Sequence, residues 1–244
     1  MKQKTLTKLC GIRSFEELEM AARFGADAVG FLTEVPVKSP RSLEAKTAAA
    51  LVEELPKRLS SVLVIMPKNA SHALKLIDKV GPDVVQIHSE LSLPELKSIK
   101  KKSSLPLIKA LCVPASPKKE AGAVNPFSQA ASQPFKLFEK LRELENSETV
   151  DAILLDSEKG TGSKKLQGGT GLVHDWALSQ KLVEATFLPV ILAGGLKPEN
   201  VQKAIEKVSP YAVDTASGVE TRGQKTARKI KKFIEAVRAA DAFL

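Results

Sequence analysis

The sequence predicts a closed (β/α)8 barrel of parallel strands, an α/β fold of the TIM-barrel type, and three observations predict it. Eight short runs rich in aliphatic and β-branched residues recur along the chain: TKLCGI, AVGFL, SVLVIM, VVQIH, PLIKAL, AILLD, PVILAG and YAVDTAS. Their apolar content is nearly continuous, as expected of strands covered on both faces; a half-exposed strand would alternate. Eight segments of helical period follow them in turn: FEELEMAARFG, LEAKTAAALVEELP, SHALKLIDKVG, LPELKSIKKK, FKLFEKLREL, LSQKLVEAT, ENVQKAIEKVS and ARKIKKFIEAVRAADAFL. The length of 244 residues suits one such barrel. A doubly wound sheet is the alternative, but nothing in it calls for eight repeats. A single domain over residues 1–244 is therefore expected.

The elements follow in order. TKLCGI reads as a buried strand that ends where Gly11 begins a turn. The first helix carries Ser14 with Glu17 three residues on, a capping box, and stops at Gly25; the third stops at Gly81. Asp27 and Asp151 stand just before strands and are expected to be structural. After the fifth strand, residues 113–134 are rich in Pro, Ser and Ala and read as a surface insertion. After the sixth, residues 157–172 are rich in Gly and Lys; within them GGTG (168–171) reads as a mobile lid, with Asp175 capping the next helix.

Composition narrows the function. A hydrophobic content of 43% with only 5% aromatics supports a core of Leu, Val, Ile and Ala. No signal peptide and no run of eighteen apolar residues is found, so a soluble cytoplasmic protein with no membrane association is expected. The two cysteines form no C-x-x-C pair and are expected to be reduced. The formal charge of +9 raises a nucleic-acid reading, supported by KSIKKK (97–102) and RKIKK (228–232). Both sit on helical patterns with apolar residues facing inward and no interleaved aromatics, so they read as solvated faces and no nucleic acid is expected. His72, His88 and His174 fall on a helix, a strand end and a helix entrance, and no H-E-x-x-H occurs, so no metal is expected. The sequence is compatible with a monomer or a homodimer.

In a barrel, position along the chain becomes position in space. The residues after strands, Cys10, Arg41, His88, Lys109, Asp156, Gly194, Gly195, Ser217 and Gly218, are expected to converge on one mouth. The paired glycines of LAGGLKPENV and the small residues of DTASGVE follow the last two strands, where exposed backbone N–H groups can receive a phosphate. A phosphorylated small-molecule substrate is the partner this implies. GTGSKK lacks the second glycine of a P-loop in every register, and that reading is rejected. Cys10 and Asp156 offer acid–base chemistry: a thiol gains thiolate character beside cations, and a carboxylic acid keeps its proton in apolar surroundings. For Cys10, simple packing is the competing reading.

The stretches KLCGIRSFEELEMAARFGADAVGFL, KSPRSL, DVVQIHSE, LLD, GGTGLVHDW, LAGGLKPENVQKAI and AVDTASGVETRGQK occur in an order that resembles the phosphoribosylanthranilate isomerases of tryptophan biosynthesis. The resemblance implies a (β/α)8 barrel catalysing, without a cofactor, the Amadori rearrangement of N-(5′-phosphoribosyl)anthranilate. It further implies Cys10 as general base, Asp156 as general acid and Arg41 as partner of the anthranilate carboxylate. Gln86 and His88 would line the site, and Gly194, Gly195, Ser217 and Gly218 would form the phosphate cradle. The sequence departs from the family pattern at Ser89, His174 and Thr226, none of them a proposed catalytic group. The rivals are another phosphate-binding barrel, such as indole-3-glycerol-phosphate synthase, with Lys109 as slight support, and a non-catalytic barrel or a nucleic-acid binder.

Overall fold

Eight parallel strands close on themselves in the computed structural model, which describes residues 4–36, 39–114, 129–159, 166–167 and 174–243. They are β1 (Leu6–Cys10), β2 (Ala28–Thr33), β3 (Ser60–Ile65), β4 (Val84–Ile87), β5 (Leu107–Val113), β6 (Ala152–Lys159), β7 (Val190–Leu192) and β8 (Ala212–Thr215). Each pairs with the next, and β8 returns to β1 with Leu6 opposite Ala212, which closes the barrel. The helices between and after them are α1 (Phe15–Phe24), α2 (Ala45–Glu53), α3 (Ala70–Val80), α4 (Leu93–Ser103), α5 (Gln129–Asn146), α6 (Trp176–Glu184), α7 (Val201–Val208) and α8 (Ala227–Phe243).

Alternation along the strands divides the apolar residues into two layers. One set, including Leu9, Phe31, Leu63, Ile87, Leu111, Leu155 and Val213, packs outward against helix residues such as Leu51, Leu96, Ile205 and Phe233. A smaller set fills the barrel itself: Cys10, Val62, Val64, Ile108, Ala110, Leu154, Ile191, Ala193 and Ala212. A continuous apolar run is what both layers require of one strand.

The local signals mostly act as expected. Ser14 accepts the Glu17 N–H at 3.2 Å, and Gly25 and Gly81 end their helices at φ 86 and 65. Glu17 does not complete the box, because its carboxylate turns instead to the Arg13 N–H and guanidinium, both at 2.8 Å. Ser92 and Glu95 form the reciprocal box at the start of α4. Asp175 caps α6 by accepting from the N–H groups of Ala177 and Leu178. Asp27 ties the Thr7 N–H to Lys4 and Arg238, and Asp151 ties the Leu107 N–H to Lys100, so both serve the far end of the barrel.

Of the segment 113–134, Val113 ends β5 and α5 already begins at Gln129, taking Pro134 inside the helix; residues 115–128 lie outside the described residues. The expected lid at 168–171 lies outside them as well. Beyond Asp156, β6 runs on to Lys159 and pairs antiparallel with Leu166–Gln167. A short hairpin after β8 pairs Glu220 with Lys225 and turns through Arg222 and Gly223, both at positive φ. Among the described residues no helix is long and apolar enough to cross a membrane.

Candidate active site

Counting by twos along β1 places Leu6, Lys8 and Cys10 on the inner face. Lys8 meets Asp214, its register partner on β8, at 3.0 Å, with side-chain exposures of only 4% and 10%. An ion pair therefore lies inside the barrel directly below Cys10. Gly30 of β2 makes the room: a Cβ there would lie 2.8 Å from the Cys10 sulfur and 3.2 Å from the Lys8 ammonium nitrogen. Burial pushes the Cys10 thiol above its ordinary value, and the charges of Lys8 and Lys225 oppose that rise. Burial pulls the Lys8 ammonium down, but Asp214 and the Cys10 sulfur more than offset it, so Lys8 keeps its proton.

Asp156 shares the inner face of β6 with Leu154 and Ala152 and is 7% exposed. One of its carboxylate oxygens accepts the Ser157 N–H at 2.7 Å. Gln86 and His88 continue the inner face of β4. The Gln86 amide nitrogen contacts His88 Nε2, which must then accept, and burial followed by the charges of Lys8 and Lys109 lowers the His88 pKa to about 3. His88 is accordingly a neutral imidazole.

Arg41 reaches the mouth from the loop after β2. Gly11, at φ 73, allows its approach, because a Cβ at Gly11 would lie 2.6 Å from Arg41 Cδ. The guanidinium is gripped by Glu220, with Nε and Nη2 each donating at 2.7 Å. Lys225, buried, reaches the same carboxylate at 3.3 Å.

The glycine loops also meet. Gly194 and Gly195 follow β7 at φ 78 and 65, and Ser217 and Gly218 open a 3-10 turn after β8. Thr215 donates its hydroxyl to the Leu196 carbonyl at 2.7 Å, and a Cβ on Gly218 would lie 1.9 Å from that same oxygen. Only a bare backbone can approach so closely.

Lys109 does not join this assembly. It is the third residue of β5, between inward-facing Ile108 and Ala110, so it points out of the barrel, where it is fully buried and meets Glu90 at 3.5 Å. Four groups that sequence reasoning missed, Lys8, Asp214, Glu220 and Lys225, do belong to it. Two of the departures have local partners: His174 lies between the Ser157 and Ser179 hydroxyls, and Ser89 donates to the Pro67 carbonyl.

Fold and mouth together define a barrel enzyme for a small anionic substrate. A family model described as N-(5′-phosphoribosyl)anthranilate (PRA) isomerase matches residues 7–236. A Methanosarcina acetivorans protein named N-(5′-phosphoribosyl)anthranilate isomerase is 57% identical over 99% of this chain and 96% of its own. The solved structure of that isomerase from Pyrococcus furiosus aligns with a TM-score of 0.75 at 27% identity, covering 96% of this chain and 99% of the other. A phosphoribosylanthranilate isomerase solved with reduced 1-(o-carboxyphenylamino)-1-deoxyribulose 5-phosphate aligns with a TM-score of 0.73 at 29% identity and the same coverage. The chain belongs to the N-(5′-phosphoribosyl)anthranilate isomerase family, and its activity is that of an aldose–ketose isomerase.

Proposed function

We propose that this mouth rearranges N-(5′-phosphoribosyl)anthranilate to 1-(2-carboxyphenylamino)-1-deoxyribulose 5-phosphate, with Asp156 as general acid and Cys10 as general base, in the cytoplasm as a step of tryptophan biosynthesis. Asp156 gives its proton to the ribose ring oxygen, the C1′–O bond breaks and an iminium forms. The Cys10 thiolate then removes the C2′ proton, made acidic by the adjacent iminium, and the enolamine relaxes to the ketone. The Lys8 ammonium lies where it can stabilise that thiolate. Arg41 receives the anthranilate carboxylate, and Gln86 and His88 line the mouth beside the ribose. The loops at Gly194–Gly195 and Ser217–Gly218 receive the phosphate on backbone N–H groups.

One juxtaposition supports this above all: closure of the barrel puts Cys10 and Asp156, from β1 and β6, on the same inner face. The related structure holding a reduced product analogue supports the substrate class. The test is the loss of phosphoribosylanthranilate fluorescence with wild type, Cys10→Ser and Asp156→Asn, each checked for folding by circular dichroism. Losses of about 10²- to 10⁴-fold in kcat are expected for both variants. Undiminished turnover in either removes that residue from the mechanism.

A further inference from the structure

A guanidinium offers two planar forks, one side-on through Nε and Nη2 and one end-on through Nη1 and Nη2. In Arg41 the side-on fork is taken, both N–H groups donating at 2.7 Å to the two oxygens of Glu220. Among the described residues nothing else accepts from the guanidinium, and the end-on fork remains for a second carboxylate. Glu220 is itself fixed: the hairpin register sets it opposite Lys225, whose ammonium reaches it at 3.3 Å, and its backbone carbonyl accepts from Lys229. The Arg41 stem lies against Gly11, the neighbour of Cys10. Lys225 also balances the Glu220 charge, so a second carboxylate approaching Arg41 meets a net positive cluster rather than a bare anion.

We propose that Glu220 is a positioning residue that sets selectivity for an ortho-carboxylated arylamine, by gripping Arg41 side-on and turning its end-on fork toward the substrate carboxylate. The inference rests on the assignment of Arg41 made above and adds the residue that orders it. Without Glu220 the substrate itself would have to immobilise a long, rotamer-rich side chain, and affinity would fall.

Two substrates test it, N-(5′-phosphoribosyl)anthranilate and N-(5′-phosphoribosyl)aniline, which lacks the carboxylate; each is made by condensing the arylamine with ribose 5-phosphate. For Glu220→Gln, KM for the carboxylated substrate rises about tenfold, as for loss of one charge-assisted contact, and kcat changes much less. The KM ratio between the two substrates narrows accordingly. Glu220→Asp, which keeps the charge but is too short for the same grip, moves the ratio in the same direction and serves where the glutamine variant does not fold. An unchanged ratio, or equal losses on both substrates, overturns the proposal and leaves Glu220 a structural residue. The Arg41→Gln protein separates the two levels. If its ratio equals that of wild type, the Arg41 assignment fails and takes the proposal with it; if Arg41→Gln narrows the ratio while the Glu220 variants do not, only the role of Glu220 fails.

Discussion

Replacing Lys8 by methionine keeps an unbranched side chain one atom shorter and deletes its charge beneath the proposed base. The ammonium nitrogen and the Cys10 sulfur crowd the same Gly30 position, at 3.2 and 2.8 Å from a Cβ built there. Two unit charges about 5 Å apart at an effective dielectric of about 20 interact by about 3 kcal/mol, roughly a hundredfold in thiolate fraction. The sign is fixed by the chemistry: losing the cation disfavours the thiolate, so the reactive form appears only at higher pH. The assay is the rate of Cys10 carbamidomethylation by mass spectrometry, in a Cys112→Ser background, from neutral to alkaline pH, beside kcat/KM over the same range. Lys8→Met should slow both by about a hundredfold at neutral pH and converge on wild type as pH rises. Asp214 also opposes the thiolate, so Lys8→Met/Asp214→Asn should recover part of the loss. The double variant also removes the buried unpaired carboxylate that could unfold the single one. Alkylation curves of wild type and folded Lys8→Met that superimpose would refute Lys8 as the counter-ion.

Two other perturbations have outcomes set by the geometry. Gly218→Ala would place a methyl group 1.9 Å from the Leu196 carbonyl oxygen; backbone must move, and we expect a loss of about 2–4 kcal/mol in denaturant titrations with a raised KM for the phosphorylated substrate. At Asp27, burial pushes the carboxyl up, but Lys4, the Thr7 N–H and Arg238 outweigh it and its pKa lies below the ordinary range. A depressed carboxylate stabilises the fold above its unfolded pKa, and the contribution is lost as pH falls through the folded one. Asp27→Asn should therefore lower Tm near neutrality, with the gap to wild type closing in strong acid.

The barrel was legible because buried parallel strands leave nearly unbroken apolar runs, and all eight runs contain strands. The base and acid candidates were legible because each ends such a run with a reactive side chain, at Cys10 and Asp156. The charges around them were not, since a lysine within a strand reads as an outward residue until its parity is counted. Lys8 shares parity with Cys10, a signal that would have found it; Asp214 completes the pair only through contact between the first and last strands. The same parity, applied to Lys109 against Ile108 and Ala110, would have taken it out of the mouth. Glu220 and Lys225 depend on a two-residue hairpin too short to leave an apolar pattern.

The inner ion pair joins positions 206 residues apart in sequence. A ribosome delivers the chain from its N-terminus, so Lys8 leaves the exit tunnel long before Asp214 is made. Throughout that interval β1 has one open edge and a cation without its counter-charge, and burying that ammonium unpaired in a dry interior would cost several kcal/mol. Closure of the barrel thus neutralises its own interior, and a nascent chain stalled before β8 holds a lysine whose counter-charge is not yet in place.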